Sequence, residues 1–123
     1  MSSDIFCNGM RWFRADFHLH TKADKEFKYT GEPSEFNGLF VDKLVAEGVS
    51  IGVITNHNKF DREEYKALRK VAGKKDVWLL PGVELSVNDG ANGIHCLIVF
   101  DKNTWLATDD DFINQFLTSV FEG

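Results

Sequence analysis

Residues 50–57 read SIGVITNH, a short β-branched run that is apolar on both faces and ends at a histidine. A strand with one face in water alternates polar and apolar residues. One that is apolar on both faces is covered on both, as in a parallel sheet flanked by helices. The segments on either side fit that reading. Upstream, Phe36, Leu39, Phe40 and Leu44 recur at helical spacing, and Gly48 stands as a C-terminal stop. Downstream, Asp61 followed three residues later by Glu64 resembles a capping box. Tyr65, Leu68 and Ala72 then form an apolar stripe, and Gly73 closes a second helix.

Further out, Arg14 to Leu19 alternate in polarity and predict a first strand. DVWLLPGVELSV (76–87) is a third apolar run, interrupted by Pro81. DGANG (89–93) reads as a loop and IHCLIVF (94–100) as a fourth strand. The aspartates 109–111 favour a helix start by capping and by the dipole. Phe112, Ile113, Phe116, Leu117, Val120 and Phe121 make the third helix amphipathic. The order strand, helix, strand, helix, strand, strand, helix predicts a mainly parallel α/β sheet in a single domain over 1–123. The charged segment KADKEFKYTGEPSEFNG (22–38) reads as a mobile surface loop, long enough for a lid or substrate loop.

Bulk composition narrows the function. With 43% hydrophobic residues, eleven Phe and three Trp in 123 residues, the chain can bury a real core. A net charge of -5 argues against gripping nucleic acid by bulk electrostatics, so phosphate chemistry has to be local. Cys7 and Cys96 are too few for a disulfide framework and do not form a CxxC pair; a reduced cytoplasmic protein is the expectation, with Cys96 packed in the core like the Phe stripes. The start MSSDIFCNGMRWF lacks the basic and apolar regions of a signal peptide, and no membrane partner is expected.

All four histidines, His18, His20, His57 and His95, fall at or near strand ends. In a parallel α/β sheet the C-terminal strand ends gather around one crevice. Within ADFHLHTKAD (15–24), period-two alternation puts His18 and His20 on one face, where both can grip one ion. Glu84 carries a carboxylate able to bridge two metals, and Asp24 is near enough in sequence to curl back. Each has a blander reading: Asp24 as a solvated loop charge, Glu84 as a turn cap, Asn56 and Asn58 as turn residues, a lone histidine as a hydrogen-bonded core residue. Asp16 reads either as a strand-end charge or as a partner orienting an imidazole.

Four ordered segments, DFHLHT (16–21), GVITNHN (52–58), PGVELS (81–86) and GIHCLIVF (93–100), together resemble the PHP (polymerase and histidinol phosphatase) family, across nearly the whole chain. The resemblance implies a distorted (β/α)7 barrel with two or three metals at the strand ends, hydrolysing phosphoester bonds. Carried over, His18 and His20 hold a first metal with Glu84, which bridges to a second metal on His95. Asp24 and His57 belong to a third. Glu84, His95 and His57 are the expected catalytic residues. The ions are divalent zinc, manganese or iron, with magnesium also admissible.

The family writes Asp where this chain has Asn56, and completes its site with a further His or Cys and a late Asp-x-His; no histidine follows His95. The expectation is therefore a partial barrel, its N-terminal portion, truncated after the third helix. It would be completed by a longer chain, such as a C-terminal AAA or SMC-like ATPase region, or by homo-oligomerisation. The expected activity is phosphoester hydrolysis by a metal-activated water, on a phosphorylated small molecule or nucleic acid. Lys22 and Lys25 are candidate phosphate contacts, otherwise solvated charges. The alternative is an incomplete or vestigial module that binds metal, docks or regulates without catalysis of its own.

Overall fold

A computed structural model describes residues 9–87, 93–107 and 109–122. The chain runs β1 (Ala15–Leu19), a 3-10 turn (Pro33–Glu35), α1 (Phe36–Ala46), β2 (Ile51–Ile54) and α2 (Arg62–Lys74). It continues through β3 (Trp78–Val87), β4 (Ile94–Val99), a short α3 (Lys102–Trp105) and α4 (Phe112–Glu122). Cys7 and most of the 89–93 loop lie outside the described residues.

One sheet has the order β1-β2-β3-β4. Each of the first two pairs is parallel and spans a helical crossover, as short strands joined through α1 and α2 require. β2 is the covered strand that its sequence predicts: Val53 is fully buried and Ile54 nearly so. A methyl on Gly52 would meet Leu19 Cδ1 at 2.8 Å and Leu79 Cδ1 at 3.3 Å, so the leucines of both neighbouring strands close over it.

Pro81 does not break the third run. β3 is continuous and changes partner there, pairing parallel with β2 over Trp78–Pro81 and antiparallel with β4 over Gly82–Val87. Proline lacks a donor, so it suits the point where one ladder hands over to the other, and its carbonyl still accepts from Phe100 N at 2.9 Å. The result is a mixed α/β fold whose four-stranded sheet is consistent with part of a barrel; its last pair is antiparallel.

Helix boundaries follow local chemistry. Gly48 takes the left-handed conformation after α1, at φ 72°. At α2, Asp61 caps Glu64 N at 3.0 Å. The helix runs past Gly73 to Lys74, and it is Asp76, at φ 57°, that makes the left-handed turn, which aspartate tolerates. Asp111 caps Asn114 N at 3.0 Å to open α4.

Tyr65, Leu68 and Ala72 of α2 pack with Val41 and Leu44 of α1, Leu79 and Val83 of β3, and Ile113 and Leu117 of α4. The aromatic stripes are only partly core. Phe36, Phe60 and Phe100 are buried, whereas Phe17, Phe112 and Phe121 are exposed, because nothing described covers those faces. Cys96 is exposed for the same reason: β4 is an edge strand and only its β3 side is occupied. The 22–35 segment is less loose than its charge implies, since Phe27 and Tyr29 stack edge-on against Phe36, at 5.6 and 5.1 Å between ring centroids.

Candidate metal centre

Four chain segments build the centre. β1 ends at His18 and His20, then the chain turns, with Asp24 N donating to Thr21 O at 2.9 Å. That turn is clamped to the end of β2 by a buried pair: Thr21 N donates to Asn56 Oδ1 at 2.9 Å and Asn56 Nδ2 to Thr21 Oγ1 at 2.8 Å. Asp24 therefore folds inward, becomes buried, and accepts the His57 backbone N–H at 2.8 Å. Beyond β2, His57 makes an isolated parallel bridge to Glu84. Glu84 N donates to Asn56 O at 3.0 Å and Asn58 N to Glu84 O at 2.9 Å, so the backbone of Glu84 is gripped on both sides. Asn58 reaches this position at φ 51°, and its side-chain oxygen accepts from Ser86 N at 2.9 Å. Opposite Ser86 in the β3–β4 register stands His95, with Ser86 Oγ 3.3 Å from His95 Nδ1.

Imidazoles converge on the buried Glu84 carboxylate. His18 Nε2 lies 2.6 Å from Oε1, His57 Nε2 touches Oε2, and His95 Nδ1 is 3.6 Å from Oε2. Asp24 holds the other side of the cluster, each of its oxygens 3.1 Å from His57 Nδ1, and Oδ2 is 3.9 Å from His20 Nδ1. The rings form a continuous row. His18 meets His20 edge-on at 4.9 Å, His20 stacks on His57 at 4.6 Å, and His57 meets His95 edge-on at 6.2 Å. Three groups each offer ligand atoms within 4.8 Å of one another: His18, His20, Glu84; His20, Asp24, His57; and His57, Glu84, His95. They share members and so form one connected cluster.

The electrostatics fit a cation. Among the described residues the ion-pair partners of Asp24 and Glu84 are all imidazoles, with no lysine or arginine balancing two buried carboxylates. Burial pushes the Asp24 carboxyl up, but the His57 backbone N–H and ring outweigh it and hold the pKa below the usual value. Burial pulls His57 down, yet the hydrogen bond and charge of Asp24, with Glu84 and Glu26 behind them, leave it raised. Glu84 Oε2 makes no well-formed hydrogen bond, its neighbours being the imidazole nitrogens of His57 and His95, and His20 Nδ1 is buried without a hydrogen-bond partner. Buried polar atoms are rarely left so. Such a set of nitrogen and carboxylate donors fits a divalent metal ion.

All six residues expected as ligands are thus brought together, by side chains ranging from 1% exposed at Asp24 to 60% at His95. Asp24 is no solvated charge and Glu84 no turn cap. Asp16, by contrast, accepts its own strand's His18 N–H at 3.0 Å and orients no imidazole. Lys22 is engaged within its own loop, donating to Pro33 O at 3.3 Å, while Lys25 is exposed.

Two supports were not foreseen. Asn56 is a buried clamp and not a plain turn residue. Glu64, expected to close a capping box, instead accepts from Thr21 Oγ1; burial raises its pKa. The signal lay in Thr21 directly following the histidine pair, a hydroxyl with no apolar role at a strand end.

No protein-family model matches the chain, and no curated protein matches it significantly. Among solved structures it is similar to an amidohydrolase from Chromobacterium violaceum with bound sulfate and no metal. That likeness has a TM-score of 0.53 and 21% identity, and covers 89% of this chain and 34% of the other. The chain spans about a third of that protein's length, and the likeness is one of fold.

Proposed function

We propose that this chain carries the metal-binding part of a PHP-type, metal-dependent phosphoester hydrolase. The observation that carries the reading is the sharing of His20, His57 and Glu84 between adjacent three-residue groups, which is how a di- or trinuclear centre is built. Divalent ions held there would supply an activated water and stabilise charge on the attacked group. The residues themselves do the positioning. Asp24 fixes the His57 ring through Nδ1, so that Nε2 faces Glu84. Glu84, gripped along its backbone, presents one oxygen to His18 and the other to His57 and His95. The exposed edges of His18 and His95 mark the side from which substrate approaches. The similarity in fold to an amidohydrolase supports a metal-dependent hydrolase in general; the ordered PHP-like motifs favour phosphoesters.

The test is His20→Ala, since His20 serves two of the groups. Bound metal, measured by elemental analysis, and hydrolysis of a panel of phosphomonoesters, phosphodiesters and amides are expected to fall together. Retention of both would refute the assignment. A second reading, a metal-binding or docking module without its own catalysis, is favoured by how open His18 and His95 are, at 51% and 60% side-chain exposure. Two or more ions per chain with no hydrolysis of any panel member, alone or with an added ATPase partner, would select it.

A further inference from the structure

The chain is acidic, yet one concavity is lined by five cations and no carboxylate. Lys66, Arg69, Lys70 and Lys74 occupy positions i, i+3, i+4 and i+8 along α2, beside its buried stripe, and face the start of β3. Lys102 enters from α3, and Trp78 and Leu80 supply apolar surface to a cavity of about 490 Å³. Glu84 lies four residues beyond Leu80 and six beyond Trp78 on the same strand, about 13 to 20 Å by the rise of an extended chain. The two sites are therefore at different ends of the sheet.

Among the described residues, no ion pair engages Lys66, Arg69, Lys70 or Lys74; Lys43 and Lys75, which are paired, lie elsewhere. The nearest acid to Lys102 is Asp101, and its carboxylate is committed to capping α3, accepting from Asn103 N at 3.1 Å and Thr104 Oγ1 at 2.9 Å. Burial and then the Arg69 charge hold the Lys102 pKa below its ordinary value, with the Asp101 charge opposing them only in part, so the cations at the hollow are incompletely balanced.

We infer that this cavity binds a small molecule carrying two or more phosphate groups. A terminal phosphate carries about 1.5 to 2 negative charges and each further phosphoryl in a chain adds about one, so a single phosphate would leave most of the five cations unbalanced, while a triphosphate comes close to them. The volume is that of a small-ligand site, on the order of 300–1,000 Å³. Four of the cations run along α2 and Lys102 joins them from α3, so the charge is gathered at one hollow between two elements.

Calorimetric titration of the full chain with inorganic tripolyphosphate tests this, with inorganic phosphate and a single-stranded oligonucleotide as the other arms. Saturable tripolyphosphate binding is expected, weakened at least tenfold by Lys70→Ala with Lys74→Ala and unchanged by His18→Ala. In the unsubstituted protein, amide NMR shifts should concentrate on residues 66–74 and Lys102, a readout that does not depend on a variant folding. The inference is overturned if there is no saturable binding, if inorganic phosphate binds as tightly as tripolyphosphate, or if binding follows His18 and not the lysines. Tighter binding of the oligonucleotide through the same lysines would assign the hollow to nucleic acid and overturn it equally.

Discussion

Glu84→Gln separates the chemistry of the centre from its architecture. The substitution keeps side-chain shape and removes one negative charge from a residue that belongs to two of the three ligand groups; His20, Asp24 and His57 are left whole. Partners outside the coordination sphere are worth about 10- to 100-fold in metal affinity, so loss of a charged ligand should cost more than about 100-fold, about 3 kcal/mol or more, at each affected position. Elemental analysis should find no more than one ion per chain. In the metal-free protein the carboxylate is 4% exposed and its charge helps to raise the His57 pKa, so its neutral isostere should be destabilised by about 3 kcal/mol in urea unfolding at a pH where His57 is protonated. A metal content and affinity equal to those of the unsubstituted chain would refute ligation by Glu84. An unchanged unfolding free energy in the metal-free form would show that its ion pairs contribute nothing to the fold.

Other consequences concern the scaffold. Tyr65 is buried and donates to Leu79 O at 2.9 Å, and burial raises its pKa from 10.0 to about 12 despite the Arg69 charge. Because the folded value exceeds the unfolded one, the contribution of the protonated phenol is intact below 10.0 and is lost as pH rises through about 12. The loss amounts to about 3 kcal/mol, visible as an alkaline fall in unfolding free energy that Tyr65→Phe abolishes. Gly82→Ala should destabilise by about 2 kcal/mol or more in the same assay, since a methyl would meet Ile98 O at 2.6 Å, Val53 Cγ1 at 2.8 Å and Ile54 O at 3.0 Å. Asp61→Ala, which strips the α2 cap, should cost about 1 kcal/mol, and Leu68→Ala, fully buried, about 2–5 kcal/mol by thermal or urea denaturation.

The site was legible where local periodicity and topology act together. Period-two alternation in β1 placed His18 and His20 side by side, and the helix-strand order brought His57, Glu84 and His95 to the same region. What could not be read from local pattern was coverage. Alternation assigns Cys96 to a face but does not say whether anything packs against that face, and β4 proves to be an edge. The continuity of β3 through Pro81 was hidden because proline's penalty depends on which neighbour needs its missing donor, a question of register. Asp16 kept two readings and the Glu64 side chain went elsewhere than a capping box for a related reason: a carboxylate chooses among several nearby N–H and O–H groups, and sequence spacing does not rank them.

The sheet pairs β1 on one side only and β4 on one side only among the described residues; these two strands carry His18 and His95, and His20 directly follows β1. Any strand that adds to either edge, from the same polypeptide or another, arrives beside a ligand. If the centre holds ions as proposed and an added strand steadies the ligands beside it, closure of the sheet and loading of the ions would be thermodynamically linked, each changing the affinity for the other by the same factor. Measured metal affinity becomes a gauge of how far the architecture is closed, and ion withdrawal becomes a means of opening it.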